Sequence, residues 1–249
     1  MGSVNSDRDD PALSVVIPVK DEAGNIQALL DEIAVVSTEI AVLEVICVDD
    51  GSTDGTAEKI RSAQQQHAWL RLVRHRQSCG QSTAIWTGVH AARAEWVVTM
   101  DGDGQNPPAD IARLIAARDN TTGPNLHMVA GQRTKRHDSR FRRLTSWLAN
   151  GIRGRLLRDG IRDSGCSLKL FRRDAFLALP YFDHMHRFLP ALIQRHGGTV
   201  LTVPVGHRPR RQGQSKYGMH NRLWSGIFDL AGVLWLKRRT RLPTIDATE

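Results

Sequence analysis

Short apolar runs rich in β-branched residues alternate, through the first half of the chain, with stretches whose apolar positions recur every three or four residues. Leu13-Ser-Val-Val-Ile-Pro-Val19 is the first such run, of the kind a strand buried on both faces requires. Over 23–36 the apolar positions Ile26, Leu29, Leu30 and Ile33 fall on one helical face. A second strand is expected over Leu43–Val48, then a helix carrying Ala57, Ile60 and Ala63 that Asp54 can cap. Leu70–Val73 reads as a third strand, Gly80–Ala94 as an Ala-rich helix and Glu95–Met100 as a fourth strand. Pro107-Pro108 suits the first turn of a further helix, and Met128–Ala130 reads as a fifth strand. Strands alternating with helices imply right-handed crossovers, and so an α/β fold with a mostly parallel sheet and helices on both faces.

Beyond about residue 132 the pattern changes. A basic helix is expected over 140–157, a strand over Leu168–Phe171, a helix over 184–196 and a strand over Thr199–Val205. Residues 206–218 are polar, basic and rich in turn formers, and read as a loop. Leu223–Leu236 is an apolar stretch of 14 residues between Arg222 and Lys237-Arg-Arg239. A bilayer-spanning helix needs about 20 apolar residues. The stretch therefore fits either a core helix or an interfacial one with Trp224 and Trp235 at headgroup depth. Three units result: a tail over 1–12, a main domain over 13–220, and an amphipathic helix with a basic tail over 221–249.

Charge sharpens this picture through its distribution. The chain carries a net charge of +8. Between Arg133 and Arg158 stand nine cations, eight of them Arg, against the single acid Asp138. The second half therefore faces something anionic: phosphates, a lipid surface or nucleic acid. Three cysteines and ten histidines show no spacing of a disulfide framework or a zinc site. A reducing cytosol is the simple reading, and no secretory leader is expected.

The candidate chemistry lies where strands end. Open parallel sheets bind ligands outside the carboxyl ends of their strands. Glu22 lies just past the first strand, Asp49-Asp50 closes the second, and Asp101-Gly-Asp103 closes the fourth. Two carboxylates separated by one Gly can converge on a hard divalent cation, Mg2+ or Mn2+, with Gln105 adding a neutral oxygen. Such a cation neutralises a diphosphate leaving group. No Gly-X-Gly-X-X-Gly, Gly-Lys-Ser/Thr or Gly-X-Ser-X-Gly motif stands at the expected places, which disfavours dinucleotide, P-loop and α/β-hydrolase sites.

Taken together, Val15-Val-Ile-Pro-Val-Lys-Asp-Glu22, Val48-Asp-Asp-Gly-Ser-Thr-Asp-Gly-Thr56 and Asp101-Gly-Asp-Gly-Gln-Asn-Pro-Pro108 resemble the family 2 glycosyltransferases. Within them, the sequence is similar to dolichol-phosphate mannose synthases and bacterial undecaprenyl-phosphate sugar transferases. The likeness continues through Gly80–Ala84, Gly131-Gln-Arg133, Asp163-Ser-Gly-Cys166 and Gly213-Gln-Ser-Lys216.

The resemblance implies a GT-A fold, a GDP- or UDP-sugar donor, inversion at the anomeric carbon, and a polyprenyl phosphate acceptor such as undecaprenyl or dolichyl phosphate. By it, Pro18, Glu22, Asp49, Asp50, Asp101 and Gly102 become donor nucleotide contacts. Asp101, Asp103 and Gln105 become the metal group, Asp103 and Asp163 the catalytic acids. Arg133, Arg136, Arg143, Arg208 and Lys216 become phosphate or acceptor contacts. A peripheral position on the cytoplasmic face of an anionic membrane follows, and a membrane partner protein is compatible with it. Two departures bear on the donor: Gln81 stands where many relatives carry Lys, and Gly-Asp-Gly where Ala-Asp-Leu is usual. The same chemistry on a soluble glycan or protein acceptor is the alternative. Nucleic acid is not expected as a partner, since carboxylates at the strand ends repel a phosphate backbone.

Overall fold

The computed structural model describes residues 11–40, 43–123, 125–134, 153–210 and 219–241, with side chains omitted over 219–225. A seven-stranded sheet runs through it in the order β3-β2-β1-β4-β6-β5-β7. The strands are β1 (Leu13–Val19), β2 (Leu43–Asp49), β3 (Leu70–Arg74), β4 (Trp96–Thr99), β5 (Leu126–Arg133), β6 (Lys169–Arg172) and β7 (Thr199–Val205). β1 pairs in parallel with β2 and β4, and β2 with β3. β6 alone runs against its neighbours, wedged antiparallel between β4 and β5, while β7 adds in parallel to β5.

The helices are α1 (Ile26–Ser37), α2 (Thr56–Gln64), α3 (Gln81–Ala91), α4 (Ile111–Asp119), α5 (Arg173–Leu177), α6 (Leu189–Arg195) and α7 (Met219–Arg239). Because side chains alternate along a strand, β1 feeds two cores. Leu13, Val15, Ile17 and Val19 pack with Ile26, Leu30 and Ile33 of α1, Ile60 of α2 and Ile111 of α4. Val16 joins Ile46 and Val48 against Ala84, Ile85 and Val89 of α3 and, farther along, Leu189, Leu192 and Ile193 of α6.

The expected strands and the α/β alternation are all present, with two differences among the helices. The helix expected over 184–196 is broken into a 3-10 turn (Met185–Arg187) and α6, because His184 takes a left-handed φ of 63°. α5 is a helix the apolar pattern did not signal. Of the basic 140–157 segment only 153–157 lies within the described residues, and it is helical. Asp54 was expected to cap α2, but the N-cap position is held by Gly55 with φ 86° and no side-chain cap bond. Asp54, one residue earlier, accepts from the Thr56 N–H at 3.1 Å and the Ala23 N–H at 3.0 Å.

At the sheet edge opposite the strand-end acids, buried Glu44 accepts from Ser14 Oγ (2.7 Å), Arg93 Nε (3.0 Å), the Arg93 N–H (3.1 Å) and Arg71 Nη1 (2.5 Å). Burial alone raises its pKa, but these donors outweigh burial and hold it below the usual value of 4.5. A depressed carboxylate stabilises the fold fully above its unfolded pKa and loses that contribution as pH falls through the folded one. Glu44→Gln is therefore expected to cost about 1–3 kcal/mol at neutral pH. In urea unfolding series the difference from wild type shrinks as pH falls below 4.5.

Candidate active site

The strand order reverses at β1, whose neighbours β2 and β4 both run parallel to it, and the crevice at such a switch point is where an open sheet binds ligands. Two glycines let the crevice form. A Cβ on Gly51, which has φ +70°, would lie 2.9 Å from the backbone at Gln77 and Ser78. One on Gly102 would lie 2.6 Å from Val19 Cγ1, so only Gly lets the Asp101–Asp103 turn pass over the end of β1.

The loops after β1 and β2 are stitched together. The Asp21 N–H donates to Ser52 Oγ (2.9 Å), the Thr53 N–H to Asp21 Oδ1 (2.8 Å) and the Glu22 N–H to Thr56 Oγ1 (2.9 Å). Pro18 sits half-buried near the end of β1. Asp49 is fully buried and holds the turn itself, accepting from the Ser52 N–H at 2.8 Å and pairing with Arg74 Nε at 3.0 Å. Asp50 binds the start of α3 on four sides: His75 Nδ1 (2.8 Å), Ser78 Oγ (2.7 Å), and the N–H groups of Cys79 (2.7 Å) and Gly80 (2.9 Å). Its pKa is lowered because those donors outweigh burial. Asp50 thus shapes the pocket wall, and donor contact through it would use the loop it organises. His75 and Cys79 place ligand atoms within 4.8 Å of Asp50, a clustering invisible in the sequence. Asp50 and His75 already satisfy each other there.

Asp101 and Asp103 lie near enough for the charge of Asp103 to act on the Asp101 carboxyl. Asp101 Oδ1 accepts from Gln81 Nε2 at 2.7 Å, and its N–H donates to Ser167 Oγ at 3.2 Å. Burial, then the charge of Asp103, pushes the Asp101 carboxyl up to about 6, against the pull of Ser167, Lys169 and Arg133. Two hard-oxygen acids crowded in this way fit a divalent cation, whose charge relieves both burial and repulsion. Gln105 also engages the segment after β7. Its side-chain Nε2 donates to the Arg208 carbonyl (3.3 Å) and its own carbonyl accepts from the Arg208 N–H (2.9 Å), so it clamps the 206–210 segment.

The expected phosphate-binding cations are disposed unevenly. Arg133, at the end of β5, forms a two-pronged pair with Asp163, Nε to Oδ2 and Nη2 to Oδ1, both at 2.7 Å. Its pKa is raised because this pair outweighs burial. Arg208 pairs with Glu32 of α1 at 2.9 Å to both oxygens. Arg136, Arg143 and Lys216 lie outside the described residues.

Sequence reasoning missed three participants. Arg210 binds Glu22 and lies 3.9 Å from Asp103 Oδ2. Ser167 ties the Asp101 backbone to Asn106, whose Oδ1 accepts at 2.9 Å. Lys169 is buried on β6, donates to the Cys166 carbonyl, and feels Asp101 and Asp163 while burial lowers its pKa. Only Arg210 left a trace, as the second cation of Arg208-Pro-Arg210.

The sequence model of glycosyl transferase family 2 matches residues 14–179, two thirds of the chain and the whole strand-end cluster. The chain belongs to glycosyl transferase family 2. Among relatives of this family 2 chain, the dodecaprenyl-phosphate galacturonate synthase of Rhizobium johnstonii is 34% identical over 239 residues, 93% of this chain and 69% of the relative. The undecaprenyl-phosphate 4-deoxy-4-formamido-L-arabinose transferase of Edwardsiella ictaluri is 34% identical over 224 residues, 89% of this chain and 67% of the relative.

The fold matches solved GT-A glycosyltransferases. Glucosyl-3-phosphoglycerate synthase from Mycobacterium tuberculosis, solved with Mn2+, UDP and glucosyl-3-phosphoglycerate, superposes with a TM-score of 0.68 at 20% identity, over 91% of this chain and 80% of that one. Mannosyl-3-phosphoglycerate synthase from Rubrobacter xylanophilus gives 0.74 at 17% identity, over 93% and 76%. The family 2 chain therefore has the GT-A fold its motifs implied.

The expected amphipathic segment lies within α7. Val233 is buried against the body, with Leu230, Leu234 and Leu236 partly so. Asp229 Oδ2 pairs with His184 Nδ1 at 3.0 Å, Arg195 Nε donates to the Leu236 carbonyl at 3.2 Å, and Lys237 Nζ to the Leu157 carbonyl. The other face leaves Ile227, Phe228 and Trp235 exposed at 49%, 72% and 60%. One face of the segment is thus core and the other is open. Among the described residues no helix is long and apolar enough to cross a membrane.

Proposed function

We propose that this family 2 enzyme moves a hexose-type sugar from a nucleoside diphosphate donor to a polyprenyl phosphate, with inversion, while resting on an anionic membrane surface. The observation that carries this reading is the 34% identity, over nearly the whole chain, to enzymes named for polyprenyl-phosphate sugar transfer. The crevice chemistry supports it. A phosphate monoester with a second pKa of about 6 is already largely a dianion at neutral pH. One of its oxygens forms the new bond to the anomeric carbon as the bond to the donor's diphosphate breaks, and no proton has to be removed.

Asp163 then has no need to act as a base. Held on both oxygens by Arg133, it orients the guanidinium toward the acceptor phosphate. Glu22 and the loops stitched around Asp50 frame the nucleoside. Asp101 and Asp103 would hold Mg2+ or Mn2+, which neutralises the charge developing on the leaving diphosphate. Arg208 and Arg210 sit over this site on the 206–210 segment.

The open face of α7, followed by Lys237, Arg238, Arg239 and Arg241, fits a lipid headgroup region, where aromatic rings and cations are favoured. Replacing Phe228 and Trp235 together by Asp is expected to lower partitioning onto phosphatidylglycerol vesicles by at least about tenfold, from the lost apolar burial. Co-sedimentation reads this directly, and transfer to a soluble detergent-dispersed acceptor should be much less affected. The function itself is tested by offering a panel of GDP- and UDP-sugars with a short-chain polyprenyl phosphate. A lipid-linked sugar phosphate supports the reading. Donor consumption with product only on a soluble glycan or protein favours the alternative acceptor.

A further inference from the structure

Gln81 is the first residue of α3, and its amide reaches across the crevice to Asp101 Oδ1 at 2.7 Å. The geometry points to Gln81 as a positioning residue that fixes the rotation of the Asp101 carboxylate toward the divalent cation. This rests on the reading of Asp101 and Asp103 as the cation site.

The physical need is plain. The last torsion of an Asp side chain is a broad two-fold well, so the chain's own rotamer preference leaves the carboxylate plane loosely defined. A cation shared between two carboxylates requires both planes to be set beforehand, and groups one bond removed from the metal commonly set them. At Asp101 the backbone is fixed by Ser167, whose hydroxyl accepts the Asp101 N–H at 3.2 Å. On the side chain, Gln81 holds Oδ1, while the Ser167 hydroxyl and the Lys169 and Arg133 charges also act on the carboxyl.

Gln81 can do this because the turn that carries it is immobilised on independent sides. The Cys79 and Gly80 N–H groups are bound by Asp50 at 2.7 and 2.9 Å. Ser82 Oγ contacts the buried His186 Nδ1 at 2.7 Å, and Thr83 Oγ1 contacts Tyr181 OH at 2.7 Å. Below the turn, Ala84, Ile85 and Val89 pack on Val16, Ile46 and Val48. The start of α3 is thus a rigid strut, tied to β2 through Asp50 and to β4 through Gln81. It links the loop that frames the nucleoside to the cation site.

The test is direct Mn2+ titration in the presence of a nucleoside diphosphate, following free Mn2+ by electron paramagnetic resonance, for wild type, Gln81→Met and Gln81→Asn. Methionine keeps the length without the donor, and asparagine keeps the amide without the reach. Both are expected to weaken Mn2+ binding about tenfold, with nucleotide affinity in EDTA unchanged. A merely structural role would lower metal-free nucleotide binding to the same extent, and that outcome overturns the inference. Mn2+ affinity equal to wild type in both variants overturns it as well. Wild type that binds no Mn2+ with either UDP or GDP removes the cation-site reading on which the inference stands.

Discussion

Asp103→Ala is expected to lower the efficiency of sugar transfer by about a thousandfold or more, equivalent to about 4 kcal/mol of transition-state stabilisation. The size follows from the place of this carboxylate. It stands beside Asp101 just past β4, with Arg210 Nη2 3.9 Å from its Oδ2. Without it, a divalent cation keeps a single protein carboxylate, and the leaving diphosphate loses its main charge partner. The variant also separates function from folding. The charge of Asp103 repels that of Asp101, so its removal is expected to leave Tm in EDTA unchanged or higher. Mn2+ should then stabilise wild type and not the variant. Initial rates across a Mn2+ series, with thermal melts alongside, check both halves.

Asp163→Asn carries the second large effect, and it differs in kind. Its carboxylate is engaged on both oxygens by Arg133 in a nearly buried pair. Removing one partner of such a pair leaves the other charge without compensation and costs about 3 kcal/mol of stability. Transfer is expected to fall about a hundredfold through misorientation of the guanidinium, a loss that adding a stronger base does not restore. The double variant Asp163→Asn with Arg133→Met should be more stable than Asp163→Asn alone, because the orphaned charge is gone. The stability loss follows from the pair under either role; if Asp163 acted mainly as a base, the rate lost in the single variant would return when a stronger base is added. Urea unfolding and single-turnover rates, with and without added base, on wild type and these two variants distinguish the cases.

What the sequence made legible were features carried by local pattern. β1 and β2 are buried on both faces, so their apolar residues run almost without interruption and mark them as interior strands. The strand-end acids were legible for a related reason: Asp49 and Asp50 close the apolar run of β2, and Asp101 and Asp103 follow the short run of β4. The reversed direction of β6 was not, since a four-residue strand reads alike in either direction. Nor was the break at His184, where a left-handed backbone residue interrupts an otherwise helical apolar rhythm.

The site shows the same division. Which residue types gather at the crevice could be read, but not which of them pair. Arg133 and Asp163 are 30 positions apart, and Gln81 and Asp101 are 20 apart. Only the folded crossovers bring them together. Hence the pairing of Arg208 with Glu32 and the contact of Gln105 with the Arg208 backbone were not legible, and Arg210 and Lys169 were not singled out at all.

The most direct measurement offers the enzyme, with Mn2+ and its nucleotide-sugar, equal amounts of a short-chain polyprenyl phosphate and the corresponding polyprenol. The proposed reaction uses the ionised phosphate as its nucleophile, so product is expected on the phosphate alone, as an inverted glycosyl phosphate that mild acid releases. Sugar appearing on the alcohol, or on neither lipid while a soluble glycan or protein is glycosylated, would contradict it.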